Sequence, residues 1–127
     1  MNKKTKDALL GVLYSRPTTK ELATLTGKSA HHIEENKRHI VSGVRTNTLA
    51  VYTHHVNEYK ISEMCKLSDE VKAFSEAIAV PPAKELAKVC NIEYSTAYMA
   101  IKRGSTSLNK FMSAYRMAKI AEFINES

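Results

Sequence analysis

The run from Pro82 to Gly104 leaves the chain few ways to fold. A proline opens it and a glycine closes it, and between them apolar residues recur at helical spacing in two groups. Leu86, Ala87 and Cys90 fall on one face of a first short helix, and Ala97, Ala100 and Ile101 on one face of a second, so that the two faces can close over Ile92. Ala87 and Ala97 are small enough to let the helix backbones approach closely. Asn91 sits at the turn, where asparagine tolerates left-handed backbone angles better than most residues other than glycine. The spacing therefore predicts two short helices joined by a tight turn, a helix-turn-helix pair.

The rest of the chain punctuates itself in the same way. Ala8, Leu9, Val12 and Leu13 predict a helix over Asp7 to Ser15 that Pro17 ends. Thr18 followed by Glu21 has the spacing of a capping box, opening a helix whose inner face is Leu22, Ala23 and either Leu25 or Thr26, with Gly27 stopping it. Ser29 can cap a third helix to about Val41, with Ile33, Ile40 and the stem of Lys37 inward and Gly43 closing it. From Val44 to Thr53 the composition turns β-branched and aromatic, which favours a short hairpin with Asn47 at its turn, a helix from Leu49 onward being the alternative. Helical spacing returns at Ile61, Met64 and Cys65, and Ser68-Asp69-Glu70 starts another helix before Val71, Phe74 and Ile78. Val80-Pro81-Pro82 marks a boundary, and a last helix runs from about Leu108 to Asn125. The expected class is mainly α: a winged-helix-like unit with a β-hairpin over residues 1–57, connecting helices over 58–80, and a helix-turn-helix with a long terminal helix over 81–127. Lys20-Glu21-Leu22-Ala23 and Lys84-Glu85-Leu86-Ala87 echo each other; Lys60-Ile61-Ser62-Glu63 resembles them less and falls out of register.

Length and charge narrow the partners. With 127 residues the chain makes one compact unit or two very small ones. Its 19 Lys and Arg against 13 Asp and Glu give a net charge of +6, which favours a polyanion. Met1-Asn2-Lys3-Lys4 precedes too short an apolar run for a signal peptide, and no stretch approaches the ~18 apolar residues of a membrane span. A cytoplasmic protein is expected, associated with the nucleoid when bound to DNA, without contact with membranes. Cys65 and Cys90 lie on apolar faces without a CxxC pairing and read as buried, reduced thiols.

No chemistry of a catalytic or cofactor kind is spelled out. His31-His32 and His54-His55, with His39, invite a metal reading, but adjacent histidines point in different directions and no Cys or Asp spacing completes a tetrahedral set. Gly11, Gly27, Gly43 and Gly104 stand alone and form no phosphate-cradling loop. A Ser-His-acid arrangement needs only to meet in space, so the sequence does not decide it. The expectation is a protein without metal, cofactor or catalytic residues.

On the residues from Ala8-Leu9-Leu10-Gly11-Val12-Leu13 through Thr19-Lys20-Glu21-Leu22-Ala23 and Gly27-Lys28-Ser29 to Val44–Tyr52, about a third of the chain resembles the winged helix-turn-helix domains of bacterial regulators. That resemblance implies a third helix in the major groove, with Ser29, His31 and Arg38 toward DNA and Arg45 near the tip of the wing. Ala83 to Phe123 resembles half of an AraC-type DNA-binding domain, through Glu85-Leu86-Ala87, the Tyr94–Arg103 helix and Leu108–Met117; phage-repressor-type helix-turn-helix units are nearly as similar. The likeness implies that Tyr94, Ser95, Tyr98, Met99 and Lys102 face the groove, flanked by Arg103.

Rotation by 100° per residue also turns Ser95, Met99 and Lys102 outward once Ala97 is placed inward. The last helix carries one apolar stripe at Leu108, Phe111, Met112 and Tyr115, and a second at Met117, Ile120, Ala121 and Ile124 on nearly the opposite side. Either the two halves of the protein sandwich this helix or the second stripe meets another copy; a homodimer interface over those four residues is the expectation. The function expected is a sequence-specific transcriptional regulator, prokaryotic or phage, that acts by occupying an operator and is controlled by abundance, dimerisation or a regulatory partner protein. The alternative is a protein-interaction module such as an anti-repressor, antitoxin or adaptor. Glu34 and Glu35 on the outward surface of the third helix favour that alternative for the N-terminal half, because two carboxylates repel phosphates.

Overall fold

A computed structural model of the protein describes residues 1–35, 46–104 and 106–127, and every regular element among them is a helix. In chain order these are α1 (Lys3–Leu13), α2 (Thr19–Thr26), α3 (residues 30–35), α4 (Thr46–Leu67), α5 (Asp69–Ala77), α6 (Ala83–Cys90), α7 (Tyr94–Arg103) and α8 (Thr106–Glu126).

Local chemistry sets most of the boundaries. The Asn2 side chain accepts a bond from the Thr5 amide at 2.8 Å and starts α1 several residues before its apolar stripe. Thr18 and Glu21 form the expected capping box at the head of α2, and Gly27, at φ 71°, ends that helix in the left-handed region. Leu22 is fully buried while Leu25 is exposed, so the inner face continues through Thr26. Ser29 caps α3 by accepting the His32 amide at 3.1 Å, and Ser68 caps α5 through the Val71 amide. The reach of α3 to Val41, with Lys37, Ile40 and Gly43, lies outside the described residues.

The hairpin expected over Val44–Thr53 is not formed by the described part of that segment, and the N-terminal unit has no wing among the described residues. Residues from Thr46 onward belong to α4, which runs unbroken to Leu67. Tyr52, Val56, Tyr59 and Lys60 repeat at helical spacing and are all half-buried, and α4 packs on α1 and α2. Intrinsic β preference is worth at most about 1 kcal/mol per residue and yields to such packing. Residues 57 and 58, where the sequence suggested a division, are both inside α4.

Among the described residues two apolar clusters stand out, beside the separately buried Leu22 and Ile33. Leu9, Ile61, Met64, Val71, Ile120 and Ile124 form the first, drawn from α1, α4, α5 and α8. Leu86, Ala97, Met112 and Tyr115 form the second, drawn from α6, α7 and α8. Ile78, just after α5, packs against both. The two stripes of α8 thus enter different clusters. Of the four residues expected at a dimer interface, Ile120 and Ile124 are fully buried within one chain, and Met117 packs against the same cluster with Ala121 half-buried.

The echo noted in sequence extends to structure. At one constant offset Thr19 corresponds to Ala83, Leu22 to Leu86, Gly27 to Asn91, Ser29 to Glu93 and Ile33 to Ala97. Both members of each pair play the same part: helix start, buried leucine, left-handed end, N-cap of the next helix and its buried residue. Each unit is also clasped by a tyrosine from the long helix that follows it. Tyr59 of α4 donates to Glu21, and Tyr115 of α8 donates to Glu85 at 2.9 Å. The protein is built from two helix-turn-helix units of equal spacing, each held against its own long helix.

Candidate nucleic-acid interface

The second unit is assembled around Asn91. Its backbone, at φ 54° and ψ 49°, returns its amide to the Ala87 carbonyl, and the Ile92 amide bonds the same carbonyl at 3.0 Å, so the chain reverses within three residues. Ala97 and Ala100 are then tucked against the core; neither has a side chain that would hold α7 away from α6. Gly104, at φ 57°, ends α7 in the same left-handed way.

Tucking in Ala97 and Ala100 turns the other side of α7 to solvent. Tyr94 and Tyr98 are 59% and 48% exposed, with rings 6.2 Å apart and nearly parallel. Ser95, Lys102 and Arg103 are exposed, and Met99 is half-buried. All six residues assigned to this helix from sequence therefore lie together on one face or its edge. Thr96 belongs with them and was missed, although it stands one helical step from Ser95; with Ser95, Met99, Ala100, Arg103, Ser107 and Phe111 it lines an open groove of about 370 Å³. Among the described residues neither Lys102 nor Arg103 forms an ion pair. Both lie in the last turn of α7, where the helix dipole favours a cation. Lys119 of α8, by contrast, pairs with Glu85 at 3.3 Å and lies over the Tyr115 ring.

The first unit presents a different surface. His31 is exposed, and the exposed Ser29 has its hydroxyl oxygen engaged in capping. Arg38 and Arg45 lie outside the described residues. Positions equivalent to Tyr98 and Met99 are Glu34 and Glu35, and the Glu34 carboxylate accepts a bond from the Thr19 hydroxyl.

One Ser-His-acid meeting does occur. The Ser113 hydroxyl on α8 donates to Glu58 and lies 2.8 Å from His54 Nδ1, both partners being on α4. Its one proton goes to the carboxylate, so the imidazole nitrogen donates to Ser113 Oγ. Ser113 is fully buried, which makes the trio a polar tie between the two long helices rather than a nucleophile open to substrate. Cys65 and Cys90 are half-buried free thiols; burial pushes both up from the ordinary thiol range, and Cys90 donates to the Phe111 carbonyl. Among the described residues no three His, Cys, Asp or Glu side chains converge as a metal site would require, and no helix is long and apolar enough to cross a membrane.

The chain matches no family model, curated protein or solved structure.

Proposed function

We propose that the protein binds duplex DNA through the α6–turn–α7 unit and regulates transcription by occupying a specific site. The observation that carries this reading is the division of α7 into two sides. Ala97 and Ala100 hold one side down, while the other exposes Ser95, Thr96, Tyr98, Lys102 and Arg103 with both cations unpaired among the described residues.

An α-helix with its side chains is about 10–12 Å across and the major groove is about 12 Å wide, so a helix projecting in this way can enter it. Lys102 and Arg103 supply attraction to phosphate, which fixes position but carries no sequence information. Ser95 and Thr96 can exchange hydrogen bonds with base edges, the Tyr98 hydroxyl can reach phosphate, and Met99 offers a surface for a thymine methyl group. Each good base contact contributes roughly 1–3 kcal/mol of discrimination.

The test is selection of the purified protein against a randomised duplex pool, followed by fluorescence anisotropy on the enriched site over a range of salt. Enrichment of a motif with steep salt dependence supports the reading. A pool that returns unenriched, with only feeble binding that salt abolishes, refutes it.

A second reading is favoured by one observation in the first unit. Glu34 and Glu35 stand where α7 has Tyr98 and Met99, so the same scaffold carries carboxylates at its outward positions. That charge suits a basic protein surface, and the α2–α3 unit would then serve as an interaction module.

A further inference from the structure

The solvent side of α7 is not uniform. At 100° per residue, Ser95, Met99 and Arg103 form one stripe and Tyr94, Tyr98 and Lys102 the next. The first stripe lines the open groove shared with α8. The second lines a separate groove of about 320 Å³ toward the start of α6, walled by Pro81, Pro82 and Ile101. One flank of the helix thus carries a hydroxyl, a thioether and a guanidinium, and the other carries two aromatic rings against an apolar wall with an ammonium group among them.

These two chemistries fit different parts of a nucleic acid. In a duplex each base shows the groove only its edge, because its two faces are covered by the neighbouring base pairs. Hydroxyls such as those of Ser95 and Thr96 suit an edge. Aromatic rings recognise a face by stacking, and a face is free only where a base has left its neighbours. The Tyr94 and Tyr98 rings, inclined to each other by only 23°, already make a stack of two, and both residues remain about half exposed. A tyrosine has few torsions to freeze, and the φ of the buried Pro81 beside them is fixed by its ring, so little order has to be gained when a third ring joins.

The charge is complementary as well. Among the described residues Lys102 forms no ion pair, and none of the residues lining its groove is acidic. Glu93, just before Tyr94, is exposed and lines neither groove, and Glu85 is engaged by Tyr115 and Lys119. Rings for a base and a cation for the phosphate attached to it are the combination by which single strands are held.

We propose that the Tyr94–Tyr98 groove takes an unpaired base, with Lys102 on its phosphate, so that the protein prefers a DNA site with one base unpaired, at a bulge or a strand junction, to the same site fully paired. The proposal rests on the reading of α7 as a duplex-binding helix, which keeps the paired bases against the Ser95 stripe. A paired base would have to give up its partner and its stack to enter the groove, whereas an unpaired one gives up less, and that difference is the source of the preference.

The experiment is anisotropy on the full chain with the selected duplex carrying one extra, unpaired adenine, moved through the site position by position. Each form is compared with the same duplex carrying an abasic nucleotide in that place, which keeps the added phosphate and flexibility and lacks only the base. At one position or two adjacent ones the adenine form is expected to bind about tenfold more tightly than the abasic form, as one stacked base contributes. That ratio should survive in the Tyr94→Phe, Tyr98→Phe double variant, which keeps both rings, and fall to near one in Tyr94→Leu, Tyr98→Leu, which keeps only apolar bulk. Both positions are exposed, so neither variant disturbs the core. A ratio near one at every position, in a protein that binds the paired duplex, overturns the base groove and leaves the reading of α7 intact, and so does a ratio that the leucine variant retains. Failure to bind any duplex, paired or bulged, overturns the reading of α7 and the proposal with it. A wild-type mass of two chains by light scattering, reduced to one by the leucine substitutions, places a second copy on the tyrosines and overturns the base as their occupant.

Discussion

Replacing Ile120 by alanine probes the enclosure of α8 most directly. The side chain is fully buried in the cluster formed with Leu9, Ile61, Met64, Val71 and Ile124. Three carbon groups are removed, which costs about 2.4 kcal/mol at about 0.8 kcal/mol per group. An incompletely collapsed cavity adds about 24 cal/mol per Å³ of residual volume, so a total of about 3–4 kcal/mol is expected within the usual range of about 2–5. Urea unfolding followed by circular dichroism measures the loss, with the slope unchanged. The decisive control repeats the experiment over a hundredfold range of protein concentration. An internal core gives midpoints that do not depend on concentration, whereas an interface between copies gives midpoints that rise with it. A loss below about 1 kcal/mol, or a concentration-dependent midpoint in the wild type that the variant abolishes, would refute the placement of α8 as an internal element.

Three further outcomes are expected. The Lys102→Ala, Arg103→Ala double variant should bind the selected duplex more weakly and lower the salt slope by about two phosphate contacts; an unchanged slope in a folded variant removes α7 as the reading helix. Asn91→Gly should preserve or slightly raise stability, and Asn91→Val should lose about 1–2 kcal/mol, because only the left-handed angle at that turn distinguishes them; equal melting temperatures would contradict this. The Tyr59 phenol, pushed up to about 12 chiefly by its bond to Glu21, should titrate late by ultraviolet absorbance and return toward 10 in Glu21→Gln. The same bond, followed by those from Thr18, holds the Glu21 carboxyl below the usual carboxylate range. Its contribution to stability is therefore present above the unfolded value and is lost as pH falls through the lower folded one, a loss that acid denaturation of Glu21→Gln should lack.

What the sequence disclosed was local chemistry. Thr18 with Glu21, Ser68, Gly27 and Asn91 each act on the backbone within a few residues, and each ends or begins a helix where its side chain predicts. The outward face of α7 was legible for the same reason, since one inward alanine fixes the rotation of the whole helix. The hairpin expectation failed because it weighed the β-branched composition around Thr46, Thr48 and Val51 above the helical spacing that begins at Tyr52, and the packing of α4 on α1 and α2 decides that competition. Both stripes of α8 were visible, but what covers the second could not be read from α8 itself. It depends on α1 and α5 arriving from distant parts of the chain.

The doubled unit also separates two kinds of residue that are ordinarily entangled. Glutamate, leucine, a small residue and a left-handed turn recur at matching places and are clasped by a tyrosine each time, whereas the residues facing outward differ at every equivalent place: Ser95 against His31, Tyr98 against Glu34, Met99 against Glu35. What repeats is grammar, and what varies is vocabulary. The molecule thereby contains its own control for transplantation. Writing the outward residues of α7 onto α3, with the clasp left untouched, asks whether a reading surface is portable between two frames of the same make within a single chain.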